Sequence, residues 1–257
     1  MTSTSRTLAP HADAPPTPPE ERSVASPTAI EALLEELGPQ LRLGGAPVES
    51  LQRFATGIAS IDELTEGGFP RGRLSEIAGP ASSGRTSLAL ALLAGATASG
   101  EIASLVDLAD AFDPASAEAA GVALERVLWV RPPGLKEALT CTERLIDASG
   151  FALVLLDLAT AKGLARSPAP ATWPRLTRAA SSTGTGLVVL SHQRIAGSYT
   201  ELAMELEPAR ARFSTSPALL EGLETGIARF RGGSAGKAHL PARQAYGLPS
   251  SRIKHAG

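Results

Sequence analysis

The stretch Gly79–Ser87, which reads GPASSGRTS, decides the fold of this chain of 257 residues. Its two glycines enclose four residues and are followed by a basic residue and a threonine, which is the spacing of a phosphate-binding loop. A strand candidate, RLSEIAG, leads into the loop, and a helix candidate over Thr86–Ser99 follows it and ends at Gly100. The loop needs this context, because glycine lets successive N–H groups face phosphate and the helix N-terminus adds positive partial charge.

The loop and one downstream strand predict a nucleotide site. The loop residues expected to surround phosphate are Gly79, Ser82, Ser83, Gly84, Arg85, Thr86 and Ser87. Asp157 ends a buried strand candidate, FALVLLD, so Thr86 and Asp157 are the expected Mg²⁺ ligands if a nucleotide binds. The other interpretation is that Asp157 is an ordinary aspartate at a strand end that caps the following loop. Arg85 stands where this motif usually has lysine, and its wider fork does not replace a compact ammonium. The sequence therefore predicts ATP and Mg²⁺ as cofactors with weakened or lost binding.

Alternating strands and helices predict an α/β fold with a mostly parallel twisted sheet flanked by helices. Further strand candidates are IASLVDL, RVLWVRP, FALVLLDLA and GLVVLSH, and further helix candidates cover Leu135–Ser149 and Thr172–Ser181. After His192 come the short segments LAMELE, ARARF, ETGIARFRG and KAHLPARQAYG. These segments are expected to extend the sheet as antiparallel strands.

Composition divides the chain into four expected segments. They are a disordered Pro-rich leader (1–27), an N-terminal helix with its linker (28–50), a core domain (51–247) and a basic flexible tail (248–257). The 43% hydrophobic and 19% charged residues are typical of a packed globular protein. The net charge is −2, but residues 208–257 carry an excess of Lys and Arg, which suits either an anionic partner or a solvated tail.

Targeting signals and disulfides are not expected. The longest apolar stretch, Leu88–Ala96, is too short to cross a membrane, and the N-terminus lacks the apolar core of a signal peptide. Cys141 is the single cysteine, so an internal disulfide is excluded. These features predict a cytoplasmic protein without a membrane partner.

Five stretches carry a resemblance to the RecA recombinase family. They are TGIASIDELTEGGFPRGRLSEIAGPASSGRTSLALAL, SLVDLADAFDP, GVALERVLWVRP, LIDASGFALVLLDLA and GLVVLSH, and the likeness covers roughly residues 28–231. The resemblance implies a RecA-like P-loop core that binds ATP. It places Asp113, within an Asp-Pro pair, beside the nucleotide base, and His192 at the position that senses the terminal phosphate.

The sequence departs from the family pattern where ATP would react. Ala109 stands at the position of the glutamate that polarises the attacking water, and Asp110 comes one residue later, where a side chain points elsewhere. Ser116 replaces the base-stacking aromatic residue of the family. Arg85 replaces the lysine and His192 the sensor glutamine of the family pattern. These departures indicate a kept fold with catalysis lost.

A shortened RecA-like chain with an altered reaction centre is similar to ImuA, the RecA-like member of damage-induced mutagenesis cassettes. That resemblance implies an accessory role in the SOS response and translesion synthesis, through contact with ImuB, RecA or both. A DNA-dependent ATPase of the recombinase class is the alternative function. A small-molecule kinase that uses the same loop is a weaker one.

Two sets of residues are candidates for macromolecular contacts. By resemblance, single-stranded DNA would meet the loops near 161–173 and 194–200, through Lys162, Arg166, Arg194 and Tyr199. A partner, or a second copy of the chain, would meet the apolar helical stripe of Ile30, Leu33, Leu34 and Leu37. The alternatives are solvated loop charges and a stripe folded back onto its own sheet. DNA contact would also place the protein at the nucleoid.

Overall fold

A computed structural model describes residues 51–159, 168–215, 220–231 and 236–241. The leader, the apolar stripe of Ile30, Leu33, Leu34 and Leu37, the tail, and the predicted DNA-contacting Lys162 and Arg166 lie outside the described residues.

Helices and strands alternate along the chain as the sequence predicts. The strands are β1 (Arg53–Phe54), β2 (Phe69–Pro70), β3 (Leu74–Ala78), β4 (Ala103–Asp107), β5 (Val127–Val130), β6 (Leu153–Asp157), β7 (Gly186–Ser191), β8 (Leu202–Leu206), β9 (Arg210–Phe213), β10 (Leu220–Arg231) and β11 (Gly236–Pro241). The α-helices are α1 (Ala59–Leu64), α2 (Arg85–Ala98), α3 (Pro114–Ala119), α4 (Leu135–Asp147) and α5 (Thr172–Thr183). Short 3₁₀ helices cover Leu124–Arg126 and Gly197–Tyr199.

One large mixed sheet organises the described residues. Its order is β11-β10-β8-β3-β7-β6-β4-β5, and β9 pairs with β10 off this path. The strands from β8 to β5 are parallel, whereas β10 runs antiparallel to β8, β9 and β11. The expectation of a mostly parallel sheet flanked by helices, with an antiparallel C-terminal extension, is confirmed.

One part of the expectation is wrong, because the LAMELE segment does not run antiparallel to the parallel strands of the sheet. The strand it forms, β8, lies parallel to β3, with Ile77 opposite Met204. The connection from Ser191 to Leu202 passes from one side of β3 to the other and contains only a short 3₁₀ helix. Parallel strands are usually joined by a longer α-helix, and the sequence has no pattern for one here. The antiparallel extension begins at β9 and β10.

The strands β3, β4, β6 and β7 are almost entirely buried, and alternate residues of β6 enter different cores. On β6, Leu153 and Leu155 join the cluster beneath α2, while Val154 and Leu156 join the cluster beneath α4 and α5. All four side chains have no exposed surface. This packing fixes the carboxyl ends of β3, β4, β6 and β7 at one edge of the sheet, where the candidate site lies.

A two-stranded antiparallel sheet of β1 and β2 leads into the large sheet. Its connection contains Gly67 and Gly68, both with positive φ angles (105° and 116°) that favour glycine. The Arg53 guanidinium donates to the Gly68 carbonyl at 3.0 Å. Backbone packing is very close here, since a Cβ at Gly68 would lie 1.9 Å from the Phe54 carbonyl oxygen.

Among the described residues, no helix has both the length and the apolar character needed to cross a membrane.

Candidate functional site

The phosphate loop connects β3 to α2 and is held by the C-terminal strands. Gly84 precedes α2 with a φ of 88°, and a Cβ there would lie 2.2 Å from Cδ1 of Leu240 on β11. The Ala209 amide donates to the Ser82 carbonyl at 3.0 Å. Glycine at position 84 therefore allows both the turn of the phosphate loop and the close approach of β11 to it.

Arg85 points into the protein rather than out of the loop. Its Nη1 donates to the Gly79 carbonyl, to the Ser191 carbonyl at 3.2 Å and to the Pro80 carbonyl at 3.4 Å. Only 6% of Arg85 is exposed. Burial lowers the pKa of its guanidinium from the ordinary value, and the negative charge of Asp157 opposes this shift. The cation of the loop is thus engaged by backbone carbonyl groups.

The hydroxyl groups of the loop differ in their surroundings. Ser82 and Thr86 are exposed, and Ser87 is half-buried on the first turn of α2. Ser83 is buried, and its hydroxyl has no hydrogen-bond partner within the described part of the chain. Thr86 is thus exposed at the start of α2, and its role as a metal ligand stays a prediction.

Asp157 ends β6 beside the loop, as the sequence predicts. Burial raises the pKa of its carboxyl, and the negative charge of Asp107 acts in the same direction. A hydrogen bond from the Ala159 amide, 2.8 Å from Oδ1, and the charge of Arg85 oppose the increase. The carboxylate is thus partly removed from water, and its role as a metal ligand stays a prediction.

Replacing Asp157 with asparagine should stabilise the protein at neutral pH. A carboxyl whose pKa is higher in the folded than in the unfolded chain makes folding less favourable as the pH rises through those two values. The free energy of unfolding of Asp157→Asn should therefore exceed that of the wild type at about pH 7, and the difference should shrink toward about pH 4. Urea denaturation of both proteins across this range measures it, and a variant less stable than the wild type at neutral pH contradicts it.

The end of β4 contains one aspartate whose oxygens are already engaged. Asp107 is 2% exposed and accepts from the Phe112 amide at 2.8 Å, the Ala109 amide at 3.2 Å and Trp129 Nε1 at 3.3 Å. It therefore orders the turn after β4. Ala109, two residues on, contributes a methyl group where the resemblance expects a water-activating glutamate.

Asp110 forms an ion pair with Arg131. Its φ is 53°, and its Oδ1 lies 3.6 Å from Nη1 of Arg131. The Arg131 guanidinium also stacks on the Trp129 ring, 4.7 Å from its centroid. Asp110, Trp129 and Arg131 thus form a surface group that the sequence did not predict.

Asp113 and Ser116 form a helix cap. Asp113 precedes α3, and its side chain accepts from the Ala115 and Ser116 amides and from the Ser116 hydroxyl. The hydroxyl contact is the main cause that lowers the pKa of the Asp113 carboxyl. The predicted base contact of Asp113 stays a prediction, while its capping role is visible in the structure.

The predicted sensor and the two described DNA-contacting candidates, Arg194 and Tyr199, follow β7. His192 is exposed, and Tyr199 is 43% exposed in the 3₁₀ helix. Arg194 turns toward its own loop, with Nη2 3.0 Å from the Gly197 carbonyl and Nε 3.9 Å from Oε2 of Glu76. Sequence analysis did not single out Glu76, although it is the one charged residue within β3.

The candidate site offers oxygen donors of the kind that bind Mg²⁺, whereas the cation of the loop is enclosed. The Thr86 hydroxyl and the Asp157 carboxylate are the hard ligands that Mg²⁺ prefers. In contrast, the enclosed Arg85 guanidinium does not fit the role of a cation presented to β- and γ-phosphates. In this conformation, Nη1 of Arg85 is engaged by carbonyl groups, so a phosphate would compete with them for this nitrogen.

The fold and the loop together define a RecA-like P-loop protein, with β3 leading into the loop and β7 lying between β3 and β6. The RecA N-terminal domain family matches residues 28–165, and the chain belongs to this family.

Similar proteins agree with this assignment. The chain is 41% identical over 133 residues to "Protein RecA" of Chlorobium limicola, covering 50% of this chain and 38% of that protein. It is 37% identical over 145 residues to "Protein RecA" of Deinococcus radiodurans, covering 55% of this chain and 40% of that protein. The chain thus spans about two fifths of the length of these relatives. The crystal structure of the RadB recombinase shares the fold, with a TM-score of 0.57, 22% identity, and coverage of 75% of this chain and 97% of that chain.

Proposed function

We propose that this chain is an ImuA-like accessory protein of the SOS response and translesion mutagenesis, which binds partners at the nucleoid in the cytoplasm instead of hydrolysing ATP. The observation that carries the proposal is the enclosed Arg85, whose Nη1 contacts the carbonyls of Gly79 and Ser191. A cation engaged in this way contributes little to the binding of a triphosphate. Ala109 adds support, because a methyl group cannot polarise water.

The proposed partners are RecA, ImuB or both, and single-stranded DNA. For proteins, the proposed contact is the apolar stripe of Ile30, Leu33, Leu34 and Leu37, which is also the proposed site of self-association. For DNA, exposed Tyr199 offers a stacking face, and Lys162, Arg166 and Arg194 are the proposed phosphate contacts. Arg194 has to leave the Gly197 carbonyl to bind phosphate with its Nη2.

Capture by purified partners tests the proposal. Immobilised RecA and immobilised ImuB are each incubated with the full chain, with a deletion of residues 28–38, and with a control deletion of equal length, residues 10–20. At least one partner should retain the full chain and the control, and should lose the variant without the stripe. Failure of both partners to retain the full chain contradicts the proposed function. Equal retention of all three proteins contradicts the proposed contact.

A DNA-dependent ATPase of the RecA class is the second candidate. It is favoured by the oxygen ligands that remain in place, Thr86 at the start of α2 and Asp157 at the end of β6. This function requires phosphate release that depends on DNA and disappears in Asp157→Ala. Partner capture and turnover are independent measurements, so they separate the two functions.

A further inference from the structure

The central strand β3 contains a carboxylate that has no exposed surface. Glu76 is flanked by Ser75 and Ile77, and all five residues of the strand are buried. A buried carboxylate is unfavourable unless donors surround it. The residues that supply these donors therefore have to stay in place.

Among the described residues, the donors to Glu76 come from the end of β7 and the loop that follows. The Ser191 hydroxyl lies 3.0 Å and the Ile195 amide 2.7 Å from Oε1. The Ala196 amide lies 3.4 Å from Oε2, and Arg194 Nε lies 3.9 Å from the same oxygen. One side chain of β3 thus fixes two consecutive amides, a hydroxyl and a cation of a six-residue segment, Ser191–Ala196.

Ser191 also connects this segment to the phosphate loop. Its carbonyl accepts from the Gly79 amide at 3.1 Å and from Arg85 Nη1 at 3.2 Å. Its hydroxyl contacts Glu76, as described above. Ser191 therefore links the loop after β7 to the phosphate loop through its hydroxyl and its carbonyl.

We infer that Glu76 is a positioning residue that holds Ser191–Ala196 in one conformation. The carboxylate supplies the negative charge and the acceptors around which this segment is ordered. The Ser191 carbonyl, which accepts from Gly79 and Arg85, links the ordered segment to the phosphate loop. The inference concerns the order of the segment and does not depend on which partner the protein binds.

Hydrogen exchange of the full chain, followed by mass spectrometry of peptides, tests this role. In Glu76→Gln one acceptor oxygen becomes an amide donor that faces other donors. Peptides covering 191–197 should exchange about tenfold faster than in the wild type, the factor that corresponds to ~1.4 kcal/mol. Peptides covering β4 should be unchanged, which separates a local release from general destabilisation.

Ser75→Ala is the matched control. Ser75 is adjacent and buried, and its hydroxyl has no hydrogen-bond partner in the described residues. This variant should exchange like the wild type. Unchanged exchange of 191–197 in Glu76→Gln, or equal acceleration in both variants, overturns the inference.

A second variant keeps the inference testable if Glu76→Gln does not fold. Ser191→Ala removes one donor and keeps the carbonyl, so the same peptides should exchange about threefold faster, less than in Glu76→Gln. No acceleration in Ser191→Ala shows that other groups order the segment.

Discussion

Substitution of Arg85 by lysine is expected to raise the affinity for ATP and Mg²⁺ about a hundredfold. In the wild type, phosphate competes with the carbonyls of Gly79 and Ser191 for the guanidinium. A hydrogen bond to a charged group contributes about 1.5 kcal/mol, so two contacts amount to ~3 kcal/mol. Each 1.4 kcal/mol corresponds to about a tenfold change in affinity. Lysine has a single compact ammonium on a flexible stem and does not span both carbonyls in the same way.

Isothermal titration with ATP in the presence of Mg²⁺ measures this change. The control is the double variant Arg85→Lys with Thr86→Ala, which removes the exposed hydroxyl at the start of α2. The double variant should lose part of the gain, because Thr86 is the proposed metal ligand. Equal affinity of Arg85→Lys and the wild type would show that the contacts of Arg85 do not limit nucleotide binding.

Substitution of Gly68 by alanine is expected to lower the free energy of unfolding by about 3 kcal/mol. Gly68 has a φ of 116°, and an added Cβ would lie 1.9 Å from the Phe54 carbonyl oxygen and 2.9 Å from Cα of Ala55. These are backbone atoms, so no side-chain rotation relieves the contact. The β1–β2 sheet has to deform, and buried Phe54 moves with it.

Gly184→Ala provides the matched control. Gly184 also has a positive φ, 74°, but a Cβ there would meet no atom within 4 Å. This variant should lose about 1 kcal/mol, the cost of the left-handed backbone conformation alone. Urea denaturation of the two variants and the wild type measures the difference. If the two variants unfold at the same urea concentration, the steric contact at Gly68 has no energetic consequence.

Most of the sheet could be predicted from the sequence because its strands are apolar runs separated by helical segments. RLSEIAG and GLVVLSH are read directly as buried strands and become β3 and β7. The direction of β8 could not be predicted, since it depends on a connection that crosses β3 without a helix of useful length. The short helix α3 was not predicted either, although its cap, Asp113 followed by Pro114, is a recognisable start signal.

The residue types of the candidate site were evident from spacing, but their contacts were not. Motif spacing locates Arg85 and Asp157, yet nothing in it indicates that Arg85 turns to the carbonyl of Ser191, far along the chain. Glu76 offered a visible signal, a charged residue within an apolar strand. Its partners lie in the loop after β7, so its role becomes readable when β3 and β7 are known to be neighbours.

Phosphate release in the presence of single-stranded DNA, ATP and Mg²⁺ tests most directly whether this RecA-family chain works without hydrolysis. The wild type and Asp157→Ala should release phosphate at the same rate, equal to that of ATP without protein, because Arg85 is withdrawn and Ala109 has no carboxylate. DNA-dependent release by the wild type that disappears in Asp157→Ala would contradict the account and identify the chain as an ATPase.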